Sequence, residues 1–135
     1  PARGETDAMA VTGMNQFTLI ARDLEETRRF YSDVIGLAEG FRPDLGFPGA
    51  WFYVGEHWVL HVVAGRAVPE PPAGVIDHMA FSATGLAATQ TKLKALGLPH
   101  RLIRQPETLV WQIFLTDPNG AKVELDFAPD EVSAA

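Results

Sequence analysis

With 135 residues, 47% of them hydrophobic, the chain suits one domain. At that length folding buries roughly two-thirds of the unfolded surface. Cysteine is absent, which excludes disulfides, thiolate nucleophiles and zinc-cysteine sites and leaves imidazole and oxygen donors for any metal. The net charge of −6 and scattered Lys and Arg argue against a nucleic-acid partner, and no apolar run approaches the ~20 residues that span a bilayer, so the expected setting is soluble and cytoplasmic.

Residues 1–13 are small and polar without a period and read as a flexible segment outside the fold. A single domain is expected over 14–127, built of a first module at 14–64, a linker at 65–74 with three prolines, a second module at 75–127, and a tail at 128–135. In the first module, residues 16–21 alternate as a strand does. Leu24, Thr27, Phe30, Tyr31 and Val34 then form a helical stripe, with Asp23 as N-cap and Glu26 completing an acidic capping box. Gly36 supplies the stop, since glycine enters the left-handed conformation without a Cβ penalty. Strands are expected at 37–42, 50–54 and 58–63, and the Pro- and Gly-rich loop 42–49 is a candidate lid.

The second module repeats this order, with a strand at 77–83, a helix at 86–96 closed by Gly97, and strands at 99–104, 109–116 and 121–127. The turn Asp117-Pro118-Asn119-Gly120 puts Pro at i+1 of a type I turn and Gly at the left-handed bulge position. Asp117 should therefore face Ala121, which pairs Phe114 with Glu124 and Gln112 with Asp126 on one face.

The two modules are one unit written twice. Ile35-Gly36-Leu37 recurs as Leu96-Gly97-Leu98, Gln16 and His78 stand 62 residues apart, and His61 and Glu124 stand 63 apart. Strand parity puts Phe17 and Leu19, Met79 and Phe81, and Val123, Leu125 and Phe127 toward the helices, and Gln16, His78 and Glu124 on the opposite, inner faces. On the fourth strand Trp58, Leu60 and Val62 are expected on the helix side, leaving His61 inside with Val59 and Val63. A lone strand histidine is more often a hydrogen-bonded core or surface residue than a ligand. Glu124 is different, because an acid between Val123 and Leu125 is costly to bury unless paired or metal-bound.

Two imidazoles, a carboxylate and an amide oxygen suit Zn, Fe, Mn, Co or Ni better than Mg or Ca. Without Gln16 the set has the two-His, one-carboxylate composition of non-haem Fe(II) oxygenases. Glu124 is the carboxylate available as a catalytic base. Trp51, Val59 and Phe114 would make the concavity apolar and Gln112 would orient a polar group of a small-molecule substrate. Arg101 and Arg104 offer charge that could attract an anion, though solvated edge charges are the commoner case.

The series Gln16-Phe17-Thr18-Leu19, Arg22-Asp23-Leu24-Glu25, Phe30-Tyr31, Ile35-Gly36-Leu37, Asp77-His78-Met79-Ala80-Phe81 and Gln112-Ile113-Phe114 through Asp117-Pro118-Asn119-Gly120 to Glu124-Leu125 resembles the vicinal oxygen chelate superfamily. That superfamily includes glyoxalase I, extradiol dioxygenases, methylmalonyl-CoA epimerase, fosfomycin-resistance enzymes and metal-free bleomycin-resistance proteins. The resemblance implies an α+β fold of two βαβββ modules whose curled mixed sheets enclose a divalent transition metal, with Gln16, His61, His78 and Glu124 as ligands. It also implies a homodimer. Many bacterial members carry His where Gln16 stands, and glyoxalase I usually has Glu where His61 stands. Three functions stay open: metal-stabilised proton transfer or lyase chemistry on a vicinal-oxygen substrate, Fe(II) ring cleavage, and metal-free binding of a drug-like ligand.

Overall fold

The computed structural model describes residues 9, 14–70 and 76–134. The expectation of a flexible N-terminal segment falls on residues that, apart from the exposed Met9, lie outside those described, as does the part of the linker at 71–75.

In the first module β1 (Phe17–Ile20) leads into α1 (Leu24–Arg29), which continues without a break as a π-helical turn over Phe30–Ile35. Asp23 caps α1 as expected, its Oδ1 accepting from Glu26 N at 2.9 Å. Gly36, at φ 91°, ends the helix, and its N–H donates to Tyr31 O. β2 (Ala38–Gly40), β3 (Gly49–Val54) and β4 (His57–Val63) follow. The loop before β3 is folded on itself: Arg42 donates to Phe47 O at 2.9 Å and its guanidinium lies 5.1 Å from the Phe47 ring centroid.

The second module repeats the order as β5 (Met79–Ser82), α2 (Leu86–Ala95), β6 (Arg101–Arg104), β7 (Trp111–Thr116) and β8 (Lys122–Phe127). Each module forms its own four-stranded mixed sheet, β1-β4-β3-β2 and β5-β8-β7-β6, with β1 parallel to β4 and β5 parallel to β8. The parallel pairing follows from the helix, which serves as a crossover and returns the chain on the same side of the sheet. The expected turn register holds: Asp117 N donates to Ala121 O at 2.8 Å, and Phe114 pairs with Glu124 and Gln112 with Asp126.

The core draws on both modules, joining Tyr31, Phe52, Leu60 and Val62 of the first to Leu86, Leu93, Ile113, Val123 and Phe127 of the second. Each such side chain contributes about 1.5–3 kcal/mol by leaving water. The modules are also tied by the Asp117–Gly120 turn, which inserts its polar groups against α1. Tyr31 donates its hydroxyl proton to Asp117 Oδ2 at 2.8 Å, Asn119 Nδ2 donates to Thr27 Oγ1 at 2.9 Å, and Arg22 N donates to Asn119 Oδ1 at 2.7 Å. Burial, then the Asp117 charge, push the Tyr31 phenol up, so it stays a donor throughout the physiological range.

One expectation about faces is overturned. A β-bulge between Phe52 and Tyr53 lets Tyr53 pair with Trp58, so Trp58 turns to the face of Trp51, whose ring lies 5.7 Å away, and is 37% exposed. An extra residue reverses strand parity beyond it. That residue, Val59, packs against the core cluster and lines a crevice with Phe81 and Leu125.

Candidate active site

Each module offers two candidate donors in the same register. Gln16 immediately precedes β1, and Thr18 two residues on is the partner of His61 across the parallel pair. His78 immediately precedes β5, and Ala80 two residues on is the partner of Glu124. The spacing of 62 and 63 residues seen in the sequence is therefore a repeat of sheet position.

In the second module the pair closes. His78 Nε2 lies 2.9 Å from Glu124 Oε1, while Glu124 Oε2 accepts from Gln112 Nε2 at 2.9 Å. The other ring nitrogen, Nδ1, lies 2.7 Å from Asp77 Oδ2, which Lys122 Nζ also reaches at 3.3 Å. The hydrogen bonds from His78 and then Lys122 hold the Asp77 carboxyl below its usual range. Glu124 is 7% exposed, so all its partners matter. Asp126, one strand period away on the same face, is pushed up to about 6, first by burial and then by the hydrogen bond and charge of Glu124. Its Oδ1 is buried with no partner among the described residues.

In the first module the imidazole of His61 is stacked flat on Trp51, ring centroids 3.9 Å apart at 9°. Burial, then the charges of Arg42 and His57, lower its pKa, favouring the neutral ring. Its Nε2 is buried without a partner among the described residues. A desolvated imidazole nitrogen with nothing to bond is an available donor.

Of the expected substrate-contacting residues, Phe114 stands edge-on to His78 at 6.2 Å, Gln112 holds Glu124, and Trp51 covers His61. Val59 lies apart from them in the crevice between the modules. The four donors do not gather within one chain: among the described residues no three His, Asp or Glu side chains come close enough to hold a metal ion. His78 and Glu124 meet, and His61 stays on the other sheet. The sequence reading placed Asp126 on the face of Glu124 but gave neither it nor Asp77 a role in the site, although both were readable as carboxylates flanking a donor.

The donor chemistry fits a divalent ion. His78 has a carboxylate oxygen at each ring nitrogen, and a ring with one proton satisfies only one of them. With Nδ1–H donating to Asp77, the second carboxylate contact at Nε2 calls for one further proton or cation, and His78 and Glu124 would hold a divalent ion there. A carboxylate behind a histidine ligand is a common support for such an ion.

The comparisons agree with this architecture. Residues 13–125 match the model of the Glyoxalase/Bleomycin resistance protein/Dioxygenase superfamily. A curated relative, Glyoxylase I 4 of Arabidopsis thaliana, is 25% identical over 123 residues, covering 85% of this chain and 70% of that protein. Among solved structures, a glyoxalase family protein from Bacillus anthracis superposes with TM-score 0.74 at 21% identity, over 90% of this chain and 98% of that one. A variant of the fosfomycin resistance protein FosX from Listeria monocytogenes, complexed with Mn(II) and a dihydroxypropylphosphonic acid, superposes with TM-score 0.71 at 18% identity, over 88% and 94%. No helix among the described residues is long and apolar enough to cross a membrane. The chain belongs to the glyoxalase/bleomycin resistance protein/dioxygenase superfamily.

Proposed function

We propose that this protein is a divalent-metal-dependent enzyme acting on a small vicinal-oxygen substrate by proton transfer or lyase-type chemistry, in a homodimer whose site combines His78 and Glu124 of one chain with His61 and Gln16 of a second copy. The observation that carries it is the His78 ring with Asp77 at Nδ1 and Glu124 at Nε2, set beside a His61 Nε2 that has no partner among the described residues. When bound, the ion supplies a Lewis acid toward two vicinal oxygens. The chain does the rest. Asp77 fixes the His78 tautomer, Gln112 fixes the Glu124 carboxylate, and Trp51 holds the His61 plane. Glu124 is the carboxylate placed to take or return a substrate proton, with Asp126 beside it. Ring cleavage by Fe(II) would use the same two histidines and carboxylate.

Metal content and native mass test the reading together. One ion per chain in a dimer is expected, and protein that takes up no divalent ion after reconstitution refutes it. Sharing between copies is tested by mixing His61→Ala with Glu124→Gln protein. Each alone should bind metal poorly, while a mixed dimer regains one intact site of two. If mixing restores nothing, the site is not shared.

A second reading is favoured by the direct contact of His78 Nε2 with Glu124 Oε1 at 2.9 Å, which closes the pair without any metal. A metal-free module binding an apolar ligand would then keep ligand affinity in His78→Ala.

A further inference from the structure

We propose that Arg101 is an anion anchor of the site, so that the substrate carries a carboxylate at the far end of a ring-sized apolar body from its vicinal oxygens; this rests on the metal-dependent reading above. The register sets Ala80, Glu124, Phe114 and Arg101 side by side across β5, β8, β7 and β6. In one such row all four side chains leave the sheet on the same face. The Arg101 guanidinium lies 5.5 Å from the Phe114 ring centroid, and that ring is 6.2 Å from the His78 ring. Two strand spacings, about 10 Å, separate Arg101 from Glu124 along the row. The Phe114 ring occupies the interval.

The other cations of this sheet are engaged. Lys122 pairs with Asp77, and Arg104 donates to Leu109 O and Pro129 O while lying 4.2 Å from the Trp111 ring centroid. Arg101 has no hydrogen bond or ion pair among the described residues, and its aromatic contact leaves the guanidinium edge free for a bidentate carboxylate. Glu124 and Asp126 stand on the same face away from Arg101, so a ligand carboxylate beyond the vicinal oxygens meets a cation at the Arg101 end. A compound filling this row has two adjacent oxygens at His78 and Glu124, a flat body lying on Phe114, and a carboxylate at Arg101.

The test is calorimetric binding to the Zn(II)-loaded protein of three probes: dihydrocaffeate, its methyl ester, and catechol. Dihydrocaffeate should bind about tenfold more tightly than the ester, and in Arg101→Gln the two should become equal while ester and catechol affinities stay unchanged. Arg101→Lys, keeping the charge without the fork, should retain part of the preference. Equal affinities in the native protein, or a preference that survives in Arg101→Gln, overturn the anchor and leave the metal reading standing. Failure of catechol itself to bind removes the metal reading and the anchor with it.

Discussion

In the first module His61 stands on β4 opposite Thr18, two residues after Gln16; in the second, Glu124 stands on β8 opposite Ala80, two residues after His78. The backbone geometry is repeated, and the chemistry is not. The second pair is bonded within the chain, buttressed by Asp77 behind the histidine and Gln112 beside the carboxylate. The first pair has a neutral-leaning imidazole pressed on Trp51, its Nε2 buried and without a partner among the described residues. A repeated fold thus fixes where donors sit, while residue type decides whether a half-site is complete alone or waits for something to bind.

Metal affinity breaks or confirms that ranking with the largest effect. Losing an outer-shell partner of a metal site costs about 10–100-fold in affinity, so Asp77→Asn should fall in that range. His78→Ala and Glu124→Gln, which remove donors, should exceed about 100-fold, with His61→Ala below them and Gln16→Ala under about tenfold, because a neutral amide oxygen is the weakest donor of the set. Competition titration against a chelating dye measures all five. A Gln16 variant as damaging as His78→Ala would erase the inequality between the halves.

The same asymmetry appears where the helices meet the sheets. α1 and the π-helical turn after it are gripped by the Asp117–Gly120 turn of the other module, through Thr27 and Tyr31. Tyr31→Phe removes a hydrogen bond to a charged, buried carboxylate, costing about 1.5–3 kcal/mol, and Thr27→Val, which strips the acceptor of Asn119, costs about 1–2 kcal/mol. The Tyr31 effect carries a pH signature. Its phenol is raised above the ordinary value of 10.0 in the folded state, so the protonated form is the one the fold favours. Stability from this group is therefore full below pH 10 and lost as the pH rises beyond it. Urea denaturation should show native stability falling steeply in that window and Tyr31→Phe falling less.

Much of this was legible in the chain. The helix cap at Asp23, the stop at Gly36, the register set by Asp117-Pro118-Asn119-Gly120 and the pairing of Phe114 with Glu124 follow from local chemistry that acts within a few residues. Trp58 and Val59 were misplaced because a bulge depends on how two strands meet, and one strand's alternation does not disclose it. The separation of His61 from His78 was hidden for a similar reason: parity assigns a face within a sheet and is silent on how two sheets are set. For Arg101 the edge-charge reading ranked above anion attraction because its neighbours Phe114 and Glu124 come from strands 13 and 23 residues downstream.

The tail after β8 packs on the second module. Gly85, at the N-cap of α2, has no side chain to cap the helix, and Glu131 accepts from Gly85 N and Leu86 N at 2.7–3.1 Å in place of the missing cap. The carboxylate also meets the positive end of the helix dipole. Trp111 Nε1 donates to Glu131 O at 2.9 Å, fixing the tail against β7. Glu131→Ala should cost about 1 kcal/mol, as cap removal typically does, and melting of the variant checks it.

The smallest expected effect lies at Thr89, the counterpart of Thr27. Both hydroxyls donate back to the carbonyl four residues earlier, at 2.8 Å, to Asp23 O and Gly85 O respectively. Thr27 is fully buried under Asn119, whereas Thr89 is half-buried, its hydroxyl bond lies at the surface, and no turn among the described residues reaches it. An exposed i−4 back-bond is replaceable by water, so Thr89→Val should change stability by under about 0.5 kcal/mol. Were it to match Thr27→Val in urea denaturation, the hydroxyl's local bond would be the source of both effects. The grip of the second module's turn on the first module's helix would then contribute nothing of its own.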